Sequence, residues 1–178
     1  MSQVGKLNMV NAKLGATMPG QQTTRYIYDT VTAVAGQSTW NFFQTFAGKT
    51  DLQSNLTTNK LDSSESMVIK SIYINGNITP TMSGHSNLNI TVGNQVVLKD
   101  FNLAFNATNR GVSYDRLHSS FSNAQVIEVR LLTDIVIPPQ VNFKATLEIA
   151  EGSAVLVGES LTLGLKGYGT IFSAGSTF

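Results

Sequence analysis

Gln125-Val126-Ile127-Glu128-Val129-Arg130-Leu131 alternates apolar and polar residues, and the same pattern returns twice downstream. Ile135-Val136-Ile137-Pro138-Pro139 follows it and breaks the ladder. Asn142-Phe143-Lys144-Ala145-Thr146-Leu147-Glu148-Ile149 alternates again, and Leu161-Thr162-Leu163-Gly164-Leu165-Lys166-Gly167 does so a third time. A period of two marks strands with one face in a core and the other toward water or a partner. Between residues 126 and 169 the chain therefore spells three strands, and nothing there is equipped for chemistry.

The same grammar runs upstream. Arg25 to Val34 is rich in aromatic and β-branched residues and reads as the first strand. Gly36-Gln37-Ser38 is a turn, and Thr39 to Phe46 is the second strand, with Trp40, Phe42 and Phe46 on one face and Phe43 on the other. Gly48 to Ser66 is a polar connection whose Asn55 and Asn59 suit turns. Met67 to Ile74 is a strand closed by Asn75-Gly76, a dipeptide that readily takes the positive φ of a tight hairpin. Asn87 to Val92 and Gln95 to Leu98 flank Gly93-Asn94, which predicts a two-residue hairpin. Phe101, Leu103 and Phe105 alternate, and Asn106 to Ser120 reads as a loop.

About eight short strands with glycine-rich turns, no helical period and no internal repeat predict an all-β sandwich or barrel. Long, uneven connections favour Greek-key crossing over a meander. The natural solution is an eight-stranded antiparallel jelly-roll sandwich. Residues 1–21 are polar and aperiodic and read as an extended N-terminal arm, either a disordered tail or a segment that orders against a neighbouring subunit. Residues 22–172 form the domain, and residues 173–178 a flexible C-terminal tail.

Composition narrows the function. A length of 178 residues favours one domain that buries roughly 70% of its unfolded surface. The absence of cysteine excludes disulfides, thiolate nucleophiles and cysteine-ligated metals. Charged residues make up 13%, against roughly 25% in soluble domains. Such a surface is either covered by neighbours or simply rich in Asn, Ser and Thr. Lys6 and Lys13 stand alone in the first twenty residues, so there is no strong nucleic-acid-binding arm. The first residues lack the apolar core of a signal peptide, and no apolar run approaches the roughly 20 residues of a transmembrane span. Sequons begin at Asn55, Asn77, Asn89 and Asn106, as a chain with this much Asn, Ser and Thr produces by chance.

Candidate chemistry is sparse. His85 and His118 lie in turn-like segments. Ser119 and Asp115 complete an imaginable Ser/His/Asp set with His118, but no strained nucleophile motif surrounds the serine. Asp62 with Glu65 and Glu148 with Glu151 lack calcium-loop spacing and read as solvated charges. Gly164-Leu165-Lys166-Gly167-Tyr168-Gly169 has the look of a phosphate loop but opens no helix; its glycines suit a bulge or close approach of another backbone. Trp40, Phe42 and Phe46 are either core or a sugar-stacking platform. The expectation is no enzyme: no catalytic, metal or cofactor-binding residue and no small-molecule substrate.

The order of elements resembles bacteriophage capsid proteins with a single jelly roll. The likeness rests on Phe42-Phe43-Gln44-Thr45-Phe46-Ala47-Gly48-Lys49-Thr50, on Leu52-Gln53-Ser54-Asn55-Leu56 leading to Ser63-Ser64-Glu65-Ser66, and on the strand Met67 to Ile74. Late in the chain Ile137-Pro138-Pro139-Gln140-Val141-Asn142-Phe143 and Leu163-Gly164-Leu165-Lys166-Gly167 extend it. The resemblance covers roughly residues 22 to 172 and implies a virion subunit, either the main shell protein or a vertex (penton) protein. It implies identical subunits and other capsid proteins as partners, an icosahedral capsid as the location, and assembly in the host cytoplasm. Two other classes stand beside it. A receptor- or glycan-binding sandwich of a phage spike or fibre would use residues 48–66 and 106–120, with Tyr114 as its exposed aromatic. A cupin-like enzyme would need several closely spaced histidines, which this chain lacks.

Overall fold

A computed structural model describes residues 21–34, 36–76, 85–102, 125–149 and 160–171. Within them lie eight strands and no helix: β1 (Gln21–Thr32), β2 (Thr39–Phe42), β3 (Glu65–Gly76), β4 (Ser86–Val92), β5 (Gln95–Asn102), β6 (Gln125–Ile137), β7 (Phe143–Ile149) and β8 (Ser160–Ile171). They form two four-stranded sheets, ordered β1-β8-β3-β6 and β2-β7-β4-β5, antiparallel throughout. The chain is all-β, and the architecture is that of a β-sandwich.

The pairings nest. β4 pairs with β5, β3 with β6, β2 with β7 and β1 with β8, as in one long folded ribbon. β3 with β8 and β4 with β7 then close the two sheets. Among the described strands, only β4 and β5 are consecutive within one sheet; the other successive strands lie in different sheets.

One core lies between the sheets. β7 shows the cause plainly: Phe143, Ala145, Leu147 and Ile149 are buried, while Lys144 and Glu148 are exposed. Ile27, Ile69, Ile72, Leu163 and Leu165 of one sheet meet Trp40, Phe42, Leu88, Ile90 and Leu147 of the other in a single buried cluster. The predicted β4–β5 hairpin is present, with Val92 opposite Gln95 and Gly93 at φ 60°.

Several expectations are corrected. β2 ends at Phe42 rather than Phe46, because Phe43 takes φ 60° and turns the chain. Phe43 therefore enters the core with Phe42 instead of facing away, its ring centroid 5.3 Å from that of Phe143. Asn75-Gly76 makes no tight hairpin: both residues still belong to β3, and the next strand lies in the other sheet. Ile135–Ile137 does not interrupt a strand but continues β6 past an irregularity. The polar connection after β2 is tied down, since Leu61 is buried, bridges Pro139 and accepts from the Gln140 amide at 3.0 Å.

β3 keeps its inward face by a bulge. Met67 and Ile69, then Ile72 and Ile74, reach the core, a spacing that needs one extra residue. Lys70 is that residue, and the register shifts at it against both neighbours.

Candidate functional site

Among the described residues, those with conceivable chemistry are scattered or structural. Trp40 and Phe42 are fully buried and Phe46 packs against the same cluster, so they offer no stacking platform. His85 is exposed beside β4. His118, Asp115, Ser119, Tyr114 and Glu151 lie outside the described residues. Glu65 pairs with Arg25 at 2.6 Å, while Asp62 is exposed. Among the described residues no three His, Cys, Asp or Glu side chains gather as a metal site.

The glycines of β8 serve close packing. A Cβ added at Gly167 would strike the backbone carbonyl of Val68, and one at Gly164 would fall on the ring of Tyr73. Tyr73 thus lies across β8 on the outer face of its sheet. The Tyr26 ring sits edge-on to it at 6.0 Å, and the Lys166 ammonium stands 5.4 Å from the Tyr26 ring centre. Burial, then the neighbouring Tyr26 and Tyr28, raises the Tyr73 phenol above its ordinary pKa. The Tyr26 hydroxyl, then the Glu128 carboxylate, holds the Lys166 ammonium above its usual range.

The edge at β1 is covered by the segment that follows β2. Asn55 accepts from the Tyr28 amide at 3.0 Å and donates to the Tyr26 carbonyl at 2.7 Å. The Thr30 amide donates to the Gln53 carbonyl at 2.8 Å, Ser54 bridges Asp29, and the Tyr28 hydroxyl donates to the Asp51 carbonyl. Beneath lies Asp29, fully buried, accepting from the Phe43 amide at 2.7 Å and from Lys49 Nζ at 2.6 Å. The Asp29 carboxylate therefore fixes the turn that starts this segment. At the crest Leu52 is 90% exposed, beside an exposed Asp51.

The opposite side of the two sheets is bounded by β5 and β6. β5 and β6 are the outer strands of their sheets and do not pair with each other. Both are irregular. In β5, one register shift leaves Val97 as an extra residue and another sets Lys99 and Asp100 opposite Asn89 alone; Asp100 takes φ 50° with its amide donating to Asn89 Oδ1 at 2.8 Å. In β6, the four residues from Leu131 to Asp134 stand opposite Lys70 alone. Lys70 Nζ holds this excursion by donating to both Asp134 oxygens, at 2.8 and 2.7 Å. Between the two strands runs a groove of about 440 Å³, lined mainly by Val97, Leu98, Phe101, Leu131, Leu132 and Ile135, with Arg130 and Asp134 as its charges. Leu132 is 96% exposed, and Val96 and Val97 are exposed beside it.

Sequence reasoning missed these features, though two of them left a signal. Asp29 occupies the inward parity of β1 with Ile27, an acid where an apolar residue belongs. The doublet Leu131-Leu132 breaks alternation where β6 bulges. Leu52 carries no periodic signal at all.

No protein-family description matches the chain, and no curated protein matches it in sequence. Solved structures give a distant likeness. Desmodium yellow mottle tymovirus shares 11% identity at a TM-score of 0.35 over 89% of this chain and 93% of that one. The empty head of turnip yellow mosaic virus shares 12% at 0.28, over 90% and 88%. A further turnip yellow mosaic virus structure shares 9% at 0.26, over 91% and 89%. Overlap this loose carries no conclusion about the chain.

Proposed function

We propose that this chain is a structural virion protein: a single jelly roll that self-associates, as a shell or vertex subunit, into the icosahedral capsid of a bacteriophage. The nested pairing of β1 with β8, β2 with β7, β3 with β6 and β4 with β5 supports the reading, since a jelly roll combines two Greek keys in two sheets. That fold hosts capsid proteins, lectins and cupins. A cupin holds its metal with several closely spaced histidines, and this sequence has two, His85 and His118, far apart. Capsid subunits need surfaces that recur on every copy, and exposed apolar residues at two opposite edges of the sheets suit that need. In this reading residues 1–21 are an arm, 22–172 the domain and 173–178 a tail; the partners are identical subunits and other capsid proteins, met in the host cytoplasm. Static light scattering on a sizing column tests it: a discrete oligomer or shell mass supports the reading, and a monomer mass across concentration and salt overturns it.

A receptor- or glycan-binding sandwich on a phage spike or fibre keeps one specific support, the 42% exposure of Tyr26 on the outer face of its sheet. Glycan binding lost in Tyr26→Ala, with a monomer mass, would favour that reading instead.

A further inference from the structure

We infer that Leu52 of one copy seats in the groove between β5 and β6 of the next copy, making a head-to-tail contact. The inference rests on the self-association reading and names the surfaces that carry it. The two partners sit at opposite edges of the sheets. Leu52 tops the segment clamped to β1, and β1 is the outermost strand at one end of its sheet. The groove lies along β5 and β6, the outermost strands at the other end of each sheet.

The two surfaces suit each other in form. Asp51-Leu52 is a preformed knob: the Gln53 and Ser54 amides donate to the Thr50 carbonyl at 2.8 and 3.0 Å, and Gln53 Oε1 accepts from the Thr50 amide at 3.0 Å. Little order is lost when such a knob docks. The bulges of β5 and β6 disfavour continuous addition of a foreign strand, so the groove takes a side chain rather than a ladder. Apolar Leu52 meets Leu132 and Val97, all three exposed in the single chain.

Charge points the same way. The knob carries the Asp51 carboxylate. In the groove Asp134 is already held by Lys70, while the exposed Arg130 guanidinium has no ion-pair partner among the described residues. Docking brings Asp51 toward Arg130. Because knob and groove are different patches, the contact is heterologous; it closes a ring if the rotation per copy divides a full turn and extends a filament otherwise.

The cysteine-free chain makes the test clean. Leu52→Cys and Leu132→Cys variants, each altered at an exposed position, are mixed at micromolar concentration and mildly oxidised. Docking raises the local thiol concentration toward the millimolar range, so the mixed 52–132 disulfide should form at least about tenfold faster than either self-disulfide. Asp51→Arg should slow that reaction, and Arg130→Asp on the partner should restore it. A faster 52–52 disulfide overturns the inference in favour of a two-fold contact. Mixed disulfides no faster than self-disulfides, while the unaltered chain assembles by light scattering, overturn it and leave the proposed function standing. An unaltered chain that stays monomeric, without cross-links, overturns both.

Discussion

Asp29 is the residue on which most local structure depends. Its carboxylate is buried, bonded to the Phe43 amide and to Lys49, and Phe43 holds a positive φ uncommon for a bulky side chain. Asp29→Ala leaves both donors without their partner, and removing one member of a buried ion pair costs about 3–5 kcal/mol. Lys49 keeps some exposure, which places the expected loss near the lower figure, about 3 kcal/mol, read by urea unfolding. A loss under about 1 kcal/mol would contradict this role. Ser66 is the converse case. Its hydroxyl is buried and bonds to nothing among the described residues, so Ser66→Ala should leave the melting temperature unchanged or raise it. Alkaline pH should act through Tyr73 and Lys166. Both hold their protons more tightly folded than unfolded, so their contribution is complete below about pH 10 and is lost as pH rises past it. Stability measured by urea at pH 9 and pH 11 should fall, and Tyr73→Phe should reduce the fall.

At the scale of elements, β8 is central to its sheet because its glycines admit neighbours on both sides. Gly167→Ala sets a methyl group against the Val68 carbonyl, which is backbone and cannot step aside. Gly164→Ala meets only the Tyr73 ring, which can swing outward. Gly167→Ala should therefore cost the upper part of the 1–3 kcal/mol range for overpacking, or more, and Gly164→Ala clearly less, both read by thermal unfolding. The reverse order would contradict this account of β8. β7 and the β4–β5 hairpin were legible from the chain alone, because strict alternation and Gly93-Asn94 are local signals. The bulges at Lys70 and in β6, and the turn at Phe43, were not, because each answers to partners far along the chain: β8 and β6 for Lys70, Asp29 for Phe43. Asn75-Gly76 misled for the same reason. A turn-prone dipeptide does not reveal that its flanking strands join different sheets.

Over the whole molecule, the two ends of the sheets differ in kind. The β1 end is capped by its own chain and projects Leu52, while the β5/β6 end carries an apolar groove. The all-β class could be read from periodicity. The surfaces could not, because exposure of Leu52 and Leu132 depends on which strands end each sheet. In the proposed reading, exposed Leu52 at one end and exposed Leu132 at the other are covered by copies of the same chain. Negative-stain electron microscopy of the purified chain tests this most directly. Closed rings of uniform diameter, or spherical shells, are the predicted result; a field of single compact particles at every concentration would contradict it.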